Sequence, residues 1–374
     1  MPLTSELGIR QILWMGSVLP TPAPYEVLQA LTSVEVTNDQ EAGDGFQLVI
    51  QLHKDRSLDY GLLKHPAFAP GTRVIIGVIL GITPEVLIDG VITHHQVKVS
   101  GGAGGELTIT GKDITSVMDQ EEHNGGFDNQ PDSVIALRVI AGPAYASFGL
   151  IPAVTPTTDI PIQVDRVPSQ QETDLAFLRR TAERNGFVFY IEPITLGVNK
   201  AYWGPENRIG LPQPALTQDM GAATNLTSLD FSHDALTPVA PSGVFVEPFF
   251  KMSIPIPALP SLRIPPLAST PAPALRRTIQ RDTANQNPLQ AATSLIAAAT
   301  NTGNAVSGDG EVDTVKYGRV LRARRLVGVR GAGLSYDGLY SVESVTHKLM
   351  RGAYGQRFRI SREGTGTTVP AVLP

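Results

Sequence analysis

The segment at residues 331–364 constrains the fold of this chain more than any other. Tyr340, Val342 and Val345 are β-forming residues, and in a second run Phe358 and Ile360 alternate with arginine and serine. Glycines within 352–355 separate the two runs. The segment therefore predicts a turn, a strand, a second turn and a second strand.

The composition favours a chain of many short strands. The 36 glycines and 30 prolines among 374 residues indicate frequent turns, and a chain of this length suggests about two to three domains. Only 17% of the residues are charged, which favours extensive burial in an assembly, and the net charge of −5 argues against a general nucleic-acid binder. The absence of cysteine excludes structural disulfides, thiolate catalysis and cysteine-ligated zinc.

The N-terminus does not have the pattern of a secretory signal, because Glu6 and Arg10 precede any apolar run. The sequence contains no apolar stretch of about 18 residues, so it predicts no transmembrane helix. The nearest approach, at residues 294–300, is far too short to cross a bilayer.

A first β region is predicted for residues 1–118. Residues 46–52 alternate as a half-buried strand should, whereas 74–80 are continuously apolar and suit a strand covered on both faces. Further strands are predicted at 86–93 and 106–111. Their spacing is typical of a β-sandwich or barrel.

A small α/β module is predicted for residues 119–204. One helix is expected at 132–140, with Asp132 or Ser133 as its cap, and a clearer one at 173–185. One apolar face of the second helix is formed by Leu175, Leu178 and Ala182.

A second β region is predicted for residues 205–366, interrupted by an insert at 236–311 and followed by a tail at 367–374. Ten prolines between Pro238 and Pro273 argue against a central strand there and favour extended, polyproline-like structure. The rest of the insert is expected to be a helix at 291–299 and a flexible return loop at 303–310.

The insert is too apolar to be a free linker, because disordered segments are usually poor in large apolar side chains. We therefore expect it to be ordered in the assembled particle and to lie against a neighbouring copy or another component. The interface candidates are Phe249, Phe250, Ile254, Ile256, Leu259 and Leu262.

The sequence offers no metal or phosphate site with the required pattern. His94 and His95 are adjacent in a strand and would point to opposite faces, and His347 is expected to be packed or exposed in the closing strand. The glycines at 101–105 lack the features of a phosphate loop and favour a flexible hairpin tip. The acidic run at 309–313 lacks the order of calcium ligands and favours a solvated turn.

Catalytic patterns are also missing. The carboxylates of Glu121 and Glu122 form no recognisable acid–base pair, and the start of a helix accounts for Glu172 and Asp174. No Gly-x-Ser-x-Gly nucleophile motif occurs. The sequence therefore predicts no enzyme, no catalytic residue and no cofactor.

Three stretches in order, at 87–113, 171–190 and 331–364, resemble the phage late control gene D protein family. The family comprises baseplate hub proteins of contractile phage tails and contractile injection systems, and includes the hub part of VgrG-like proteins. The resemblance covers roughly residues 30–235 and 312–364. It implies a mainly β fold with two tube-like β-barrel domains, in a homotrimeric ring with pseudo-sixfold symmetry around an axial channel.

The resemblance also implies partners and a place of action. The hub would join a threefold spike to a sixfold inner tube, and the partners would be the tube or a tube initiator and baseplate wedge components. Because the chain stops soon after residue 364, the spike is expected to be a separate protein. The expected location is the baseplate of a virion tail or injection particle assembled in the bacterial cytoplasm. The type of particle and its cargo stay open.

Two other functions are alternatives. A tail tube or sheath subunit would be structural but sixfold, and tube subunits carry one barrel. A cell-wall hydrolase carried in the baseplate would need a catalytic constellation, and the sequence shows none.

We predict that the purified protein does not hydrolyse peptidoglycan, because the sequence lacks a nucleophile motif and a spaced metal site. The measurement is the turbidity of a purified peptidoglycan suspension during incubation with the protein. Clearing that disappears when a single carboxylate is changed would contradict the prediction.

Overall fold

The computed structural model describes most of the chain. The described residues are 8–17, 19–54, 60–99, 104–157, 168–246, 253–256, 261–280, 288–369 and 372. The protein is mainly β with a few helices, as the sequence predicts.

The elements of the N-terminal β region come first in the chain. They are β1 (Ile9–Gly16), β2 (Thr21–Pro22), α1 (Tyr25–Ala30), β3 (Leu31–Asp39), β4 (Gly45–His53), β5 (Arg73–Leu80), β6 (Thr83–Val99) and β7 (Gly104–Asp113). A module of shorter elements follows. It contains β8 (Glu122–Gly126), α2 (Asp132–Ile140), β9 (Leu150–Val154), β10 (Ser169–Thr173), α3 (Asp174–Arg184), β11 (Val188–Thr195) and β12 (Val198–Gly204).

The C-terminal region carries the remaining elements. They are β13 (Gln213–Thr217), β14 (Leu226–His233), β15 (Val239–Val246), β16 (Ser253–Ile256), β17 (Ala268–Pro271), β18 (Arg276–Gln280), α4 (Pro288–Thr300), β19 (Val306–Val312), α5 (Thr314–Tyr317), β20 (Leu326–Arg330), β21 (Gly338–Met350), β22 (Ala353–Arg362) and β23 (Gly364–Thr367). The predicted turn–strand–turn–strand segment is thus the hairpin of β21 and β22.

One thirteen-stranded sheet runs through both β regions, in the order β14-β19-β22-β21-β3-β4-β7-β6-β5-β1-β2. β20 pairs with β21 and with β13 beside this path. From β14 to β6 the sheet contains eight strands, and every neighbouring pair among them is antiparallel.

The two halves of this eight-stranded run repeat the same topology. The N-terminal half has the order β3-β4-β7-β6 and the C-terminal half has the order β14-β19-β22-β21. In each half the fourth strand in sequence lies between the second and the third. In each half an extra strand, β5 or β20, precedes the third strand and pairs with its beginning. The fold is therefore built from two copies of one strand unit.

The sequence-based prediction of a flexible loop at 303–310 and a solvated turn at 309–313 is wrong. These residues largely form β19, which pairs with β14 on one side and β22 on the other. The glycines are required by packing, because a Cβ at Gly308 would lie 2.9 Å from the Phe231 ring. A Cβ at Gly310 would lie 2.6 Å from the Phe358 ring. The glycines of β19 thus make room for aromatic rings.

The predicted absence of a central strand in the proline-rich insert is also wrong. β15 lies between β16 and β18 in a three-stranded sheet, although it contains Pro241. The strand tolerates this proline because only β18 pairs with it there, opposite Thr278, whereas β16 pairs from Gly243 onward. The predicted helix at 291–299 is confirmed as α4.

Three clusters of buried side chains form the cores, one in each β region and one in the module. The predicted apolar face of α3 is confirmed, because its three residues are buried in the module core. Leu178 is fully buried, and its carbonyl accepts a hydrogen bond from the indole of Trp203 at 3.1 Å.

The predicted cap of α2 is wrong. The helix follows Pro131, which cannot cap through its side chain. Asp132 instead accepts hydrogen bonds from Arg184 and from Asn185, and Ser133 bonds to Thr157. Both candidate caps therefore have tertiary partners. Asp132 ties α2 to the end of α3, and Ser133 ties it to the segment after β9.

We predict that Leu178→Asp lowers the free energy of unfolding by about 3–5 kcal/mol, because it places an unpaired charge in a sealed apolar core. Arg180→Ala on the opposite face of α3 is the matched control. Arg180 is exposed and pairs with Glu172 at 2.7 Å, so its loss should cost within about 0.5 kcal/mol. Urea unfolding of both variants measures the difference, and equal shifts would contradict the assigned face.

Candidate assembly surfaces

The two halves of the sheet join where β21 pairs with β3. Seven antiparallel residue pairs form this junction, from Ser344 opposite Asp39 to Met350 opposite Ser33. Lys348 lies opposite Glu35, so opposite charges face each other across the junction. The junction makes one continuous surface out of two distant parts of the chain.

A buried ion pair supports the turn beside this junction. Arg324 binds Asp44 at 2.6 Å, with both side chains almost completely buried. Arg324 also donates to the carbonyl of Asp39 at 2.6 Å, and its guanidinium lies 4.6 Å from the centre of the Tyr190 ring. These bonds offset the cost of burying the charge of Arg324, although its Nε atom has no hydrogen-bond partner among the described residues. The β3–β4 turn is therefore held by a residue from the other half of the chain.

The carboxyl group of Asp113 lies near the same buried ion pair. Burial, and next the negative charge of Asp44, raise the pKa of Asp113 to about 7. The hydroxyl of Thr115 donates to this carboxyl group at 2.5 Å.

A second polar cluster fixes the module on the N-terminal half. Arg73 binds Asp89 at 2.6 Å, and Asn199 of β12 donates to the same carboxylate at 2.8 Å. Arg73 also donates to the carbonyl of Ser147 at 3.0 Å. These buried hydrogen bonds tie the module to the N-terminal half, although the Oδ1 atom of Asn199 has no hydrogen-bond partner among the described residues.

The described part of the insert docks on its own chain. Glu363 accepts from Arg208 at 3.0 Å and from the backbone of Ala268 at 3.1 Å. Helix α4 lies on the end of α3, where a Cβ at Gly186 would approach Ala297 to 3.1 Å. Gly186 has a φ of +67°, so both its conformation and its contact favour glycine.

The interface candidates of the insert fall in three places. Phe249, Phe250 and Leu259 lie outside the described residues. Ile254 and Ile256 are positions of β16, which pairs with β15.

Leu262 is half-buried, and its backbone donates to the hydroxyl of Thr300 at 2.8 Å. Its contacts are therefore made within the chain. An interface role for these six residues stays a prediction.

Within the described residues, the eight-stranded run has two open edges that the sequence analysis did not predict. β5 begins at Arg73, opposite Val91. Among the described residues, the outer part of β6, residues 93–99, therefore pairs only with β7. β14 pairs only with β19 among the described residues. Val97 and Val99 are 42% and 65% exposed on the β6 edge. A signal was present in the sequence, because valines alternate with Gln96 and Lys98 in this stretch as they do in a strand.

The uncovered face of the eight-stranded run is polar and of mixed charge. Arg359 lies 3.3 Å from Glu343 and 3.8 Å from Asp309, and Arg357 lies 3.6 Å from Glu311. Threonine, serine and glutamine occupy many of the remaining outward positions. Such a surface needs no further protein layer to cover it.

A wide depression lies at the end of the strands that is remote from the module. Its volume is about 1220 Å³, and it opens broadly to solvent. The lining includes Tyr25, Leu28, Gln51, Met350 and Arg351. The depression combines exposed apolar side chains with single charges, which suits contact with a protein better than a small-molecule site.

The residues considered for chemistry do not converge. His94 and His95 occupy consecutive positions of β6, and no group of three histidine or carboxylate side chains among the described residues could hold a metal ion. Asp174 accepts hydrogen bonds from Tyr145 and Gln170, both at 2.6 Å. The prediction that a position at the start of a helix fully explains Asp174 is therefore incomplete. Asp174 lies in the first turn of α3, but Thr173 is the cap of that helix.

Glu172 belongs to β10 and pairs with Arg180. The glycine-rich stretch was predicted to be a hairpin tip, and its residues 101–103 lie outside the described part. In the described part of the chain, no helix is long and apolar enough to cross a membrane.

His347 lies in β21 at the junction with β3 and is fully buried, which is one of the two environments predicted for it. Its Nδ1 atom is 2.9 Å from the hydroxyl of Tyr354. Burial, and next the positive charge of Arg322, lower the pKa of His347 to about 3. The ring is therefore neutral in the folded protein near pH 7.

We predict that acid weakens the junction through His347. In the unfolded chain this histidine binds a proton near pH 6.5, whereas the folded protein resists protonation down to about pH 3. Its contribution to stability is thus complete above pH 6.5 and is lost as the pH falls from 6.5 towards 3. Melting temperatures between pH 8 and pH 4 should fall less steeply in His347→Gln than in the wild type. The exposed His53→Gln should follow the wild type, and parallel curves for all three proteins would contradict the prediction.

No protein-family model and no curated sequence matches the chain. Solved structures do match over nearly its whole length. A tail protein from Neisseria meningitidis has a TM-score of 0.65 at 13% identity, and the alignment covers 94% of this chain and 97% of that one. A 43 kDa tail protein of a Shewanella oneidensis prophage has a TM-score of 0.64 at 14% identity, with coverage of 95% and 99%.

An Escherichia coli component of the type VI secretion system has the same fold, with a TM-score of 0.55 at 11% identity and coverage of 92% and 77%. That protein is described as structurally similar to the bacteriophage T4 tail proteins gp27 and gp5. The resemblance predicted from the sequence is thereby confirmed at the level of the fold.

Proposed function

We propose that this protein is a structural baseplate hub of a contractile tail or contractile injection system. It would adapt a threefold spike to a sixfold inner tube. The observation that carries the proposal is the repeated strand unit, because one chain presents two topologically equivalent four-stranded surfaces in a single sheet.

The symmetry of a closed ring explains how this repeat could serve the proposed function. A closed ring of three copies is threefold in its chains and sixfold in its strand units. Three copies of the eight-stranded run would place 24 strands around the axis. At a strand spacing of about 4.8 Å, a ring of that size has a diameter of roughly 37 Å before strand tilt is included. A ring of that width can enclose an axial channel.

The remaining parts of the molecule fit supporting roles in such a ring. The two tube-like barrels would lie at 1–118 and 205–366, with the module at 119–204 bracing the outside and the insert at 236–311 meeting wedge components. β19, which starts at residue 306, would then belong to the second barrel rather than to the insert. The polar uncovered face of the sheet would line the channel.

The partners follow from this role. They would be a separate spike protein, an inner tube or tube-initiator protein and the baseplate wedge. The site of action would be a virion tail baseplate or an injection particle assembled in the bacterial cytoplasm. The likeness to tail proteins and to a secretion-system component supports this placement. The repeat argues against a tube subunit with one barrel, and the role requires no catalysis.

We predict that the assembled protein contains three identical chains around an axial channel. Native mass spectrometry of the purified protein gives the number of chains, and cryo-EM averaging of the particle gives the symmetry. Three chains with sixfold pseudosymmetry in the strand layer are expected. Six chains per ring would favour a tube subunit and would overturn the hub proposal.

A further inference from the structure

We propose that the buried carboxyl group of Asp113 is a proton-dependent latch at the place where the two strand units and the module meet. This contact is firmly closed while the carboxyl group holds its proton, and it opens more readily once the proton is lost. The inference concerns the single chain and does not rest on the proposed hub function.

The contact is centred on Arg324, which lies just before β20 in the C-terminal strand unit. Its guanidinium binds Asp44 at 2.6 Å and the carbonyl of Asp39 at 2.6 Å, on the two sides of the β3–β4 turn. The same guanidinium lies 4.6 Å from the centre of the Tyr190 ring, in β11 of the module. We call this contact the three-way joint. Releasing Arg324 would loosen the β3–β4 turn from the C-terminal unit and from the module together.

Two carboxyl groups share one guanidinium in the three-way joint. Asp44 takes up the cation, because both of its carboxylate oxygens accept from Arg324. The carboxyl group of Asp113 instead accepts from the hydroxyl of Thr115 at 2.5 Å, and within the described residues no ion pair joins it to a cation. The cluster is therefore balanced in charge when Asp113 is neutral and has a net negative charge when Asp113 is ionised.

The closed joint offers an ionised Asp113 little hydration. Asp113 and Thr115 are 6% and 5% exposed. The cavity beside the ion pair, lined by Asp44 and Arg324 among others, has a volume of about 20 Å³, which is room for about one water molecule. Burial, and next the charge of Asp44, accordingly raise the pKa of Asp113 from 3.8 to about 7. An ionised carboxylate would regain its hydration if the joint opened.

The charges that act on Asp113 come from the elements packed against it. Asp44 raises the pKa of Asp113, whereas Arg324 and Arg179 of α3 lower it. Arg179 is exposed, so solvent and salt weaken its effect. Further titratable groups act indirectly, through Arg324 or through the ring beside it: Tyr190, Glu192, Tyr202 and Arg325.

The backbone of Arg324 gives the joint a second reason to open. Its φ is +62°, in the left-handed region that residues other than glycine rarely adopt. Such strained residues persist where surrounding contacts hold them, and they occur in segments that switch. Here the amide of Arg324 donates to the carbonyl of Val342 at 2.7 Å, while its side chain is held by Asp44. Opening would let the segment before β20 relax.

The direction of the pH effect follows from the two states of the joint. In the closed joint Asp113 loses its proton near pH 7, whereas in an open, hydrated joint it does so near its ordinary pKa of 3.8. Between these values opening releases a proton, so each pH unit favours the open state by about tenfold. Above pH 7 Asp113 is ionised in both states, and the equilibrium becomes constant. The joint is thus firmest in mild acid.

Hydrogen exchange measured by mass spectrometry on the full chain tests the latch. The segment at residues 38–45 reports opening, once each rate is corrected for the intrinsic exchange rate at that pH. In the wild type its protection should fall by about tenfold per pH unit from pH 5 towards 7 and then become constant. Asp113→Asn cannot ionise, so its protection should be the same from pH 5 to pH 8. The control Asp309→Asn removes a carboxylate that is 61% exposed on β19, and it should follow the wild type.

A second variant, Thr115→Val, moves the latch instead of removing it. The hydroxyl of Thr115 stabilises the ionised carboxylate, so without it the protection should keep falling to a higher pH than in the wild type. This variant provides the test if Asp113→Asn does not fold.

The slope with pH separates a latch from a merely structural role of Asp113. A structural role would change the protection of Asp113→Asn by the same factor at every pH, and such parallel curves would overturn the inference. Protection that does not vary with pH in the wild type would also overturn it, as would a Thr115→Val curve that levels off at the wild-type pH.

Discussion

The antiparallel pairing of β21 with β3 is the interaction on which the rest of the structure depends. It turns two separate strand units into one sheet, and the polar groups around it secure that union. Arg324 reaches across to Asp44 in the β3–β4 turn, while His347 fills the core side of the junction strand. The module and the insert are attached to this sheet by their own buried charges. Weakening the junction would therefore separate the two equivalent surfaces that give the chain its proposed role.

Local patterns predicted the strands and helices whose surroundings match their sequence. Alternation identified β4 and the β21–β22 hairpin, and a 3.6-residue period identified α3 and its buried face. The failures have a common cause. Gly308 and Gly310 look like flexible residues until Phe231 and Phe358 are placed over them, and Pro241 looks incompatible with a central strand until its unpaired side is known.

The candidate assembly surfaces were harder to predict than the fold. The apolar content of the insert predicted an interface there. An open edge arises where one strand extends beyond its neighbour, and the order of strands in the sheet shows this whereas the sequence does not. The repeat was also hidden, because equivalent positions keep their physical character and not their residues. Glu35 corresponds to Asp230, and Thr37 corresponds to Ser232. Matching irregularities in strand pairing showed the equivalence where the amino acids did not.

The strands that pair at the junction are far apart in the sequence, and this separation has a consequence for synthesis on the ribosome. Thr37 and Thr346, whose hydroxyls meet across it at 3.3 Å, are 309 positions apart in the chain. At translation rates of about 5–20 residues per second, the N-terminal unit would wait on the order of 15–60 s before its partner strand emerges. During that time the β3 edge of the nascent chain is exposed to every other unfinished copy nearby. A negative charge at Glu35 disfavours pairing of this edge with unrelated strands during that time, and in the folded chain the same residue lies opposite Lys348.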